Sequence, residues 1–187
     1  MINIKPIAIP FRELLEEFTR DDIESLLDGF KCSRESFIEG FVRDKCVHSE
    51  NMGDTKSYFI LDENSDDLCI LGYYALTLKV IYLAEISGGK AKKLHQKEKT
   101  NLYIPTYYIA LLAKNDTYKE SIEGKYVLES ALATIQTAAQ SVGGRVVWVE
   151  AKKEHRGVVE FYQNNGFTEF QVEEQSDGFY SHLLKIV

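Results

Sequence analysis

Among the residue types here that could move a proton is the phenol of Tyr162. An apolar strand-like run, Arg145-Val-Val-Trp-Val-Glu-Ala151, leads to a short helical segment ending Phe161-Tyr-Gln-Asn-Asn-Gly-Phe167. A phenol with a reference pKa of about 10 can give its proton to a departing anion from a fixed position. The plainer reading of Tyr162, in a chain with eleven tyrosines, is packing of its helix against a sheet. Upstream, Leu112-Ala113-Lys114 ends another apolar run, and a loop containing Lys119, Glu120 and Ile122 leads to Gly124 and Lys125 at the head of the longest helical pattern. The free N–H groups and dipole of a helix N-terminus hold anions such as a pyrophosphate. Carboxylates at Glu120 and Glu123 repel such an anion and complement the helix's first turn, whereas Lys114, Lys119 and Lys125 offset them.

A proton acceptor is less clearly marked. Glu150 and Glu85 are candidates, each reading equally as a surface or pairing carboxylate. His48, His95, His155 and His182 have no metal-ligand spacing and read as surface or packing residues, so no metal is expected. His155-Arg156-Gly157 precedes the Tyr162 helix, where it can touch a bound phosphate. Cys32, Cys46 and Cys69 are odd in number and widely spaced, which fits reduced packing residues and neither a disulfide framework nor a zinc site.

These residues need a scaffold, and hydrophobic periodicity supplies one. Phe11–Phe18 and Asp21–Leu27 read as short helices, broken at Asp28-Gly29. Ser33 is placed to cap a helix running to about His48, with Phe37, Phe41 and Val42 as its apolar stripe. Residues 55–61 and 69–78 read as strands paired in a hairpin across a turn at Asn64–Asp67. The run Tyr107–Ala113 lacks alternation, which suggests burial on both faces at the centre of a sheet. Gly124, Leu128, Ala131, Leu132 and Ile135 share one helical face, and Gly143-Gly144 ends that helix. Asn165-Gly166 offers a left-handed cap after Tyr162, and two final strands join across Ser176-Asp177-Gly178. Helices before a hairpin, then β-α-β-α-β, give an α/β (α+β) fold with a mixed central sheet flanked by helices.

Composition bounds the function. A chain of 187 residues, 44% hydrophobic and 27% charged, with no Pro/Gly/Ser-rich linker, reads as one domain over 1–187. No apolar run approaches the roughly 18 residues of a membrane span, and residues 1–10 lack a signal-peptide layout, so a cytoplasmic protein is expected. Twenty-two basic against 29 acidic residues give a net charge of -7, which repels nucleic acid at long range and attracts small cationic ligands. One segment runs the other way: residues 90–99 hold five lysines, Lys90, Lys92, Lys93, Lys97 and Lys99, against one glutamate. It reads as a solvated surface or as a local phosphate-contacting patch.

The spacing Phe-Tyr-x-x-x-Gly-Phe at Phe161–Phe167, between apolar strands, resembles the C-terminal signature of the GNAT family of acetyl-CoA-dependent N-acetyltransferases. Laid over the chain without a gap, the family's phosphate-loop pattern puts Leu112-Ala113 at the strand end, Lys119 at the Arg/Gln place and Gly124 at the last glycine. Glu120 and Ile122 stand where the family usually has glycine. The resemblance implies a GNAT-like fold and transfer of an acetyl group from acetyl-CoA to a primary amine. It implies a cosubstrate site of Leu112, Ala113, Lys114, Lys119, Glu120, Ile122, Gly124 and Lys125, and Tyr162 as the general acid that protonates the leaving thiolate. Acceptor and thioester would meet where the Leu112-Ala113 strand and the Val146–Ala151 strand splay apart.

A second resemblance extends this towards the N-terminus. Phe30-Lys-Cys32, the helix from Ser33, the strand Tyr58–Leu61 and Leu71-Gly-Tyr-Tyr-Ala-Leu76 look like the GNAT branch that contains aminoacyl-tRNA-acetylating toxins, over roughly residues 26 to 170. That branch implies an antitoxin partner and tRNA contact, for which the 90–99 lysines are candidates; a homodimer is a separate expectation. The acceptor stays open among an aminoacyl-tRNA, a small cationic amine and a protein amine. The alternative is a non-catalytic GNAT-like binding or regulatory module whose loop has drifted at Glu120 and Ile122.

Overall fold

A computed structural model describes residues 4–65, 68–82, 89 and 103–187. Among them, strands β1 (Pro6–Pro10), β2 (Lys56–Asp62), β3 (Ile70–Tyr82), β4 (Tyr103–Lys114), β5 (Val146–Lys152), β6 (Thr168–Gln175) and β7 (Gly178–Ile186) form a seven-stranded sheet in the order β1-β2-β3-β4-β5-β7-β6. The apolar run Tyr107–Ala113 thus occupies the central strand, as its lack of alternation requires. Pairing is parallel between β4 and β5 and antiparallel for β1 with β2, β2 with β3, β5 with β7 and β6 with β7, which makes the sheet mixed. The chain divides into two compact units, Met1–Thr77 with Leu111–Ala133, and Leu78–Ala110 with Thr134–Val187.

In the first unit, helices α1 (Phe11–Glu17) and α2 (Arg20–Asp28) follow β1. Thr19 caps α2 in a reciprocal box with Asp22, satisfying two N–H groups that a helix start leaves open. The core gathers Phe11, Leu14, Leu26, Phe30, Val42, Phe59 and Tyr73, with the rings of Phe11 and Phe59 edge-on at 5.0 Å. Gly72 of β3 makes this packing possible. A Cβ there would come within 3.1 Å of Val127 Cγ2 and 3.2 Å of Ile122 Cδ1, so the missing side chain lets β3 lie against the start of helix α5 (Gly124–Val142).

The segment after Cys32 departs from expectation. The one helix expected from Ser33 to about His48 is two, α3 (Ser36–Asp44) and α4 (Cys46–Met52), broken at Lys45. The Cys46 thiol donates to Val42 O at 2.7 Å and covers a carbonyl at the break. Ser33 is not the cap. Its N–H and its hydroxyl both donate to Asp116 Oδ2 at 2.6 Å, a partner distant in sequence that outcompetes the local helix start. Val42 is buried, whereas Phe37 is 63% exposed and so no part of a core stripe. Strand β1, with a proline at each end, was not expected at all; it pairs in register from Pro6 with Asp62 to Pro10 with Tyr58.

In the second unit, helix α6 (Arg156–Asn164) follows β5, and the β6–β7 hairpin turns at Ser176-Asp177 as its Gly178 suggests. Gly166 has φ 86°, the left-handed conformation expected after the Tyr162 helix. Gly143 and Gly144, with φ of 82° and 89°, end α5 in the same way. The register puts Trp148 and Glu150 of β5 opposite Leu184 and His182 of β7 on one face, and Val147, Val149 and Ala151 opposite Lys185, Leu183 and Ser181 on the other. Helix α6 lies against the second of these faces, because Lys185 Nζ donates to Asn165 O at its C-terminus at 2.8 Å. On the first face, Ile81, Tyr108, Val146, Trp148 and Phe170 form a buried cluster.

Candidate active site

The expected cosubstrate residues sit in the first unit, at the turn that opens α5. The turn is held from below by Asn115, which follows the last residue of β4 and is fully buried. Its Oδ1 accepts from Lys31 N–H at 3.2 Å and Thr117 N–H at 3.1 Å, and its Nδ2 donates to Gly29 O at 3.0 Å and Ile70 O at 2.8 Å. Every polar atom of the side chain is used, as a buried amide requires. Next to it, Asp116 takes the two Ser33 donors, and those hydrogen bonds hold its carboxyl below the ordinary range.

Lys114 has a different place from a free phosphate-side cation. Its ammonium donates to Lys119 O and, at 3.1 Å, to Ile122 O, so it braces the turn from within. Lys119, Glu120 and Glu123 are exposed, and Lys125 pairs with Glu129 one turn along at 3.6 Å. Ile122 is 8% exposed, its side chain lodged beside Gly72 of β3. The bulk that stands in place of a glycine is therefore turned into the core. The amides of Glu123, Gly124 and Lys125, at the open end of a 19-residue helix, have no hydrogen-bond partner among the described residues. Backbone N–H groups of this kind suit an anion, whatever the side chains beside them.

Tyr162 belongs to the second unit. It is 7% exposed on α6, its ring edge-on to Phe161 at 5.3 Å and to Phe167 at 5.4 Å. Phe161 and Phe167 thus fix the ring, and Gly166 reverses the chain to bring Phe167 back on to it. Burial alone pushes the Tyr162 phenol up, because a phenolate there would lose its solvation. The group stays protonated through neutral pH.

The same unit carries a charged group on the Trp148 face. Glu150 Oε1 lies 3.3 Å from Lys79 Nζ and 3.8 Å from His182 Nε2, and His182 Nε2 lies 3.3 Å from Glu173 Oε2. Lys79 Nζ stands 4.0 Å from the centre of the Tyr108 ring and 5.3 Å from that of Trp148, in cation–π range of both. Tyr108 has its phenol pushed up by burial first, then by the nearby Glu150 charge, with Tyr162 a smaller contributor. His182 is pushed down, mainly by burial and against the pull of Glu150 and Glu173.

Glu150, marked in the sequence as a carboxylate at a strand end, thus has a charged neighbourhood, and His182 is part of it. Sequence reasoning did not single out Asn115, Lys79, Tyr108 or Glu173. Lys79 had a signal, as the one charge inside the apolar alternation of β3; a single Asn after a strand had none. Glu85, His95 and the lysines Lys90, Lys92, Lys93, Lys97 and Lys99 lie outside the described residues. Among the described residues no group of His, Cys, Asp and Glu could hold a metal ion, and no helix is long and apolar enough to cross a membrane.

No family model matches the chain, and no curated protein does. Solved structures do. AtaT complexed with acetyl-methionyl-tRNAfMet superposes with a TM-score of 0.73 at 20% identity, covering 97% of this chain and 95% of that one. A tyrosine-to-phenylalanine mutant of KacT gives 0.73 at 16% identity, with coverage of 97% and 95%. A corresponding AtaT mutant toxin, bound to the C-terminus of the antitoxin AtaR and acetyl-CoA, gives 0.67 at 19%, with 97% and 92%. The likeness spans nearly the whole of each chain. It establishes the fold: the chain has the GNAT-like fold found in these toxins.

Proposed function

We propose that this protein is an acetyl-CoA-dependent N-acetyltransferase whose acceptor is the α-amino group of an aminoacyl-tRNA. The observation that carries the reading is Tyr162, buried against Phe161 and Phe167 on a helix of a chain that shares the fold of AtaT and KacT. When the amine nitrogen bonds to the thioester carbonyl and the carbon–sulfur bond breaks, the electron pair leaves on sulfur. The Tyr162 phenol gives that thiolate its proton and regains one from solvent. The turn at the head of α5 holds the pyrophosphate through the amides of Glu123, Gly124 and Lys125, with Lys119 as an exposed cation beside it. Leu112, Ala113 and Lys114 shape that turn, and Ile122 anchors it.

Full-length likeness to AtaT bound to an acetylated aminoacyl-tRNA favours this acceptor. So does chemistry, because an α-amine with a pKa near 8 needs less help from a base than a lysine-like amine near 10.4. Lys90, Lys92, Lys93, Lys97 and Lys99 would supply the local positive field that a chain of net charge -7 otherwise lacks. AtaT bound to AtaR makes an antitoxin a partner to test. A non-catalytic binding module is the second reading, favoured by Glu120 and Ile122 at glycine places.

The test offers labelled acetyl-CoA with an aminoacyl-tRNA, with the same tRNA uncharged, or with a polyamine. Label should pass to the aminoacyl-tRNA alone. Transfer only to the polyamine would remove tRNA as the acceptor, and no transfer to any of them would leave the binding module.

A further inference from the structure

The general acid accounts for one of the two protons that an acetyl transfer to an amine must move. The other leaves the acceptor nitrogen, and the Trp148 face of the second unit holds a row of groups suited to take it. Glu150 on β5 is 18% exposed, His182 on β7 is buried behind it, and Glu173 on the edge strand β6 is 51% exposed. The row therefore runs from a partly open carboxylate, through a buried imidazole, to a carboxylate in solvent.

Resting on the acetyltransferase reading, we propose that Glu150 takes the proton from the acceptor amine and that His182 passes it to Glu173 and so to water. In the first transfer an amine N–H bond breaks and a carboxyl O–H bond forms on Glu150. The proton then moves to the His182 imidazole, restoring the Glu150 carboxylate, and from the imidazolium to Glu173, which releases it. Each residue returns to its starting charge, and no other reactant is needed. Glu150 is the catalytic residue of the set; His182 and Glu173 act through it.

Three features support the row. His182 Nε2 is buried with no hydrogen-bond partner, although Glu173 Oε2 lies at 3.3 Å, so the contact is close but poorly directed and the nitrogen is not committed to a structural bond. Catalytic contacts of this kind tighten when substrate binds. The charges that face His182 are Glu150 from β5, Glu173 from β6 and Lys79 from β3, with Tyr180 two residues along β7 on the same face. Burial and Lys79 keep the imidazole neutral, so it can accept a proton, while the flanking carboxylates limit the cost of the imidazolium that forms. Lys79, 3.3 Å from Glu150, pairs with that carboxylate and orients it.

The test is the pH dependence of acetyl transfer to an aminoacyl-tRNA by the full chain and by Glu150→Gln, His182→Gln and Glu173→Gln. With an acceptor pKa near 8, only a few per cent of the amine is neutral at pH 6.5, and a base contributes most there. Glu150→Gln should lower kcat by about 100-fold at pH 6.5. The deficit should close towards pH 9, where the amine needs no base. His182→Gln should follow the same shape with a smaller loss, and Glu173→Gln a loss of a few fold, with KM for acetyl-CoA unchanged in all three. A loss equal at every pH, or profiles that superimpose on the parent, would overturn the relay and leave the acetyltransferase standing. Glu173 is half exposed on an edge strand, so its variant tests the acid limb even if a buried replacement unfolds. If the parent itself transfers no acetyl group at any pH, the acetyltransferase reading fails and the relay falls with it.

Discussion

The turn that opens α5 and the charged face of β5 and β7 treat their polar atoms in opposite ways. At the turn, Asn115 satisfies all of its side-chain atoms, Lys114 gives its ammonium to two carbonyls and Asp116 takes both donors of Ser33. On and behind the other region, Trp148 Nε1, Ser181 Oγ and His182 Nε2 are buried without a hydrogen-bond partner. A turn that presents backbone amides to an anion must hold one shape, so its side chains serve the backbone. An unpartnered buried polar atom costs about 1–3 kcal/mol, and of the three only His182 Nε2 belongs to the proposed relay. On the proposed mechanism the first region binds and the second does chemistry.

Removing what braces the turn should have the largest effect on stability. Asn115→Ala leaves the Lys31 and Thr117 amides and the Gly29 and Ile70 carbonyls without their partner, and should lower stability by about 3 kcal/mol, read from denaturant midpoints. A loss below about 1 kcal/mol would mean that water replaces the amide and that the clamp is not what holds the turn. Gly72→Ala forces Val127 and Ile122 back by a few tenths of an ångström, and about 1 kcal/mol of lost stability, with weaker acetyl-CoA binding, is expected. An unchanged melting temperature would show that the packing at Ile122 is loose.

A smaller effect depends on pH. The Ser33 hydrogen bonds lower the folded pKa of Asp116, so their stabilisation is present above the unfolded value of about 3.9 and fades as pH falls through the lowered folded one. Ser33→Ala should therefore melt below the parent at pH 7, with the gap closing in acid; a constant gap would assign the loss to something other than the charged carboxylate. The smallest change expected is at Ser181. Its hydroxyl has no partner to lose, so Ser181→Ala should be neutral or slightly stabilising, and a clear loss would show that the hydroxyl is bonded in solution.

What the sequence makes readable follows from range. The stripe of Leu128, Ala131, Leu132 and Ile135 lies within one helix, and all four are buried as the period requires. Gly143, Gly144 and Gly166 announce helix ends by a conformation that few other residues adopt, and all three have positive φ. Ser33 misleads because its partner Asp116 is 83 residues away, and a capping pattern carries no information about so distant a carboxylate. Ile122 is similar: its replacement of a glycine reads as damage until Gly72, brought in by β3, accounts for where the side chain goes. The helix that carries Tyr162 is readable because its motif is local, whereas the neighbours of Glu150 come from β3, β6 and β7 and no spacing along the chain joins them.

On the proposed mechanism Tyr162 acts in the chemistry and not in binding. This is tested most directly by measuring single-turnover acetyl transfer and acetyl-CoA affinity side by side for the parent and Tyr162→Phe, which keeps the ring contacts with Phe161 and Phe167. A rate lower by about 100-fold or more at an unchanged Kd is expected, since a positioned acid contributes on that scale. Equal rates would contradict it and remove Tyr162 from the mechanism.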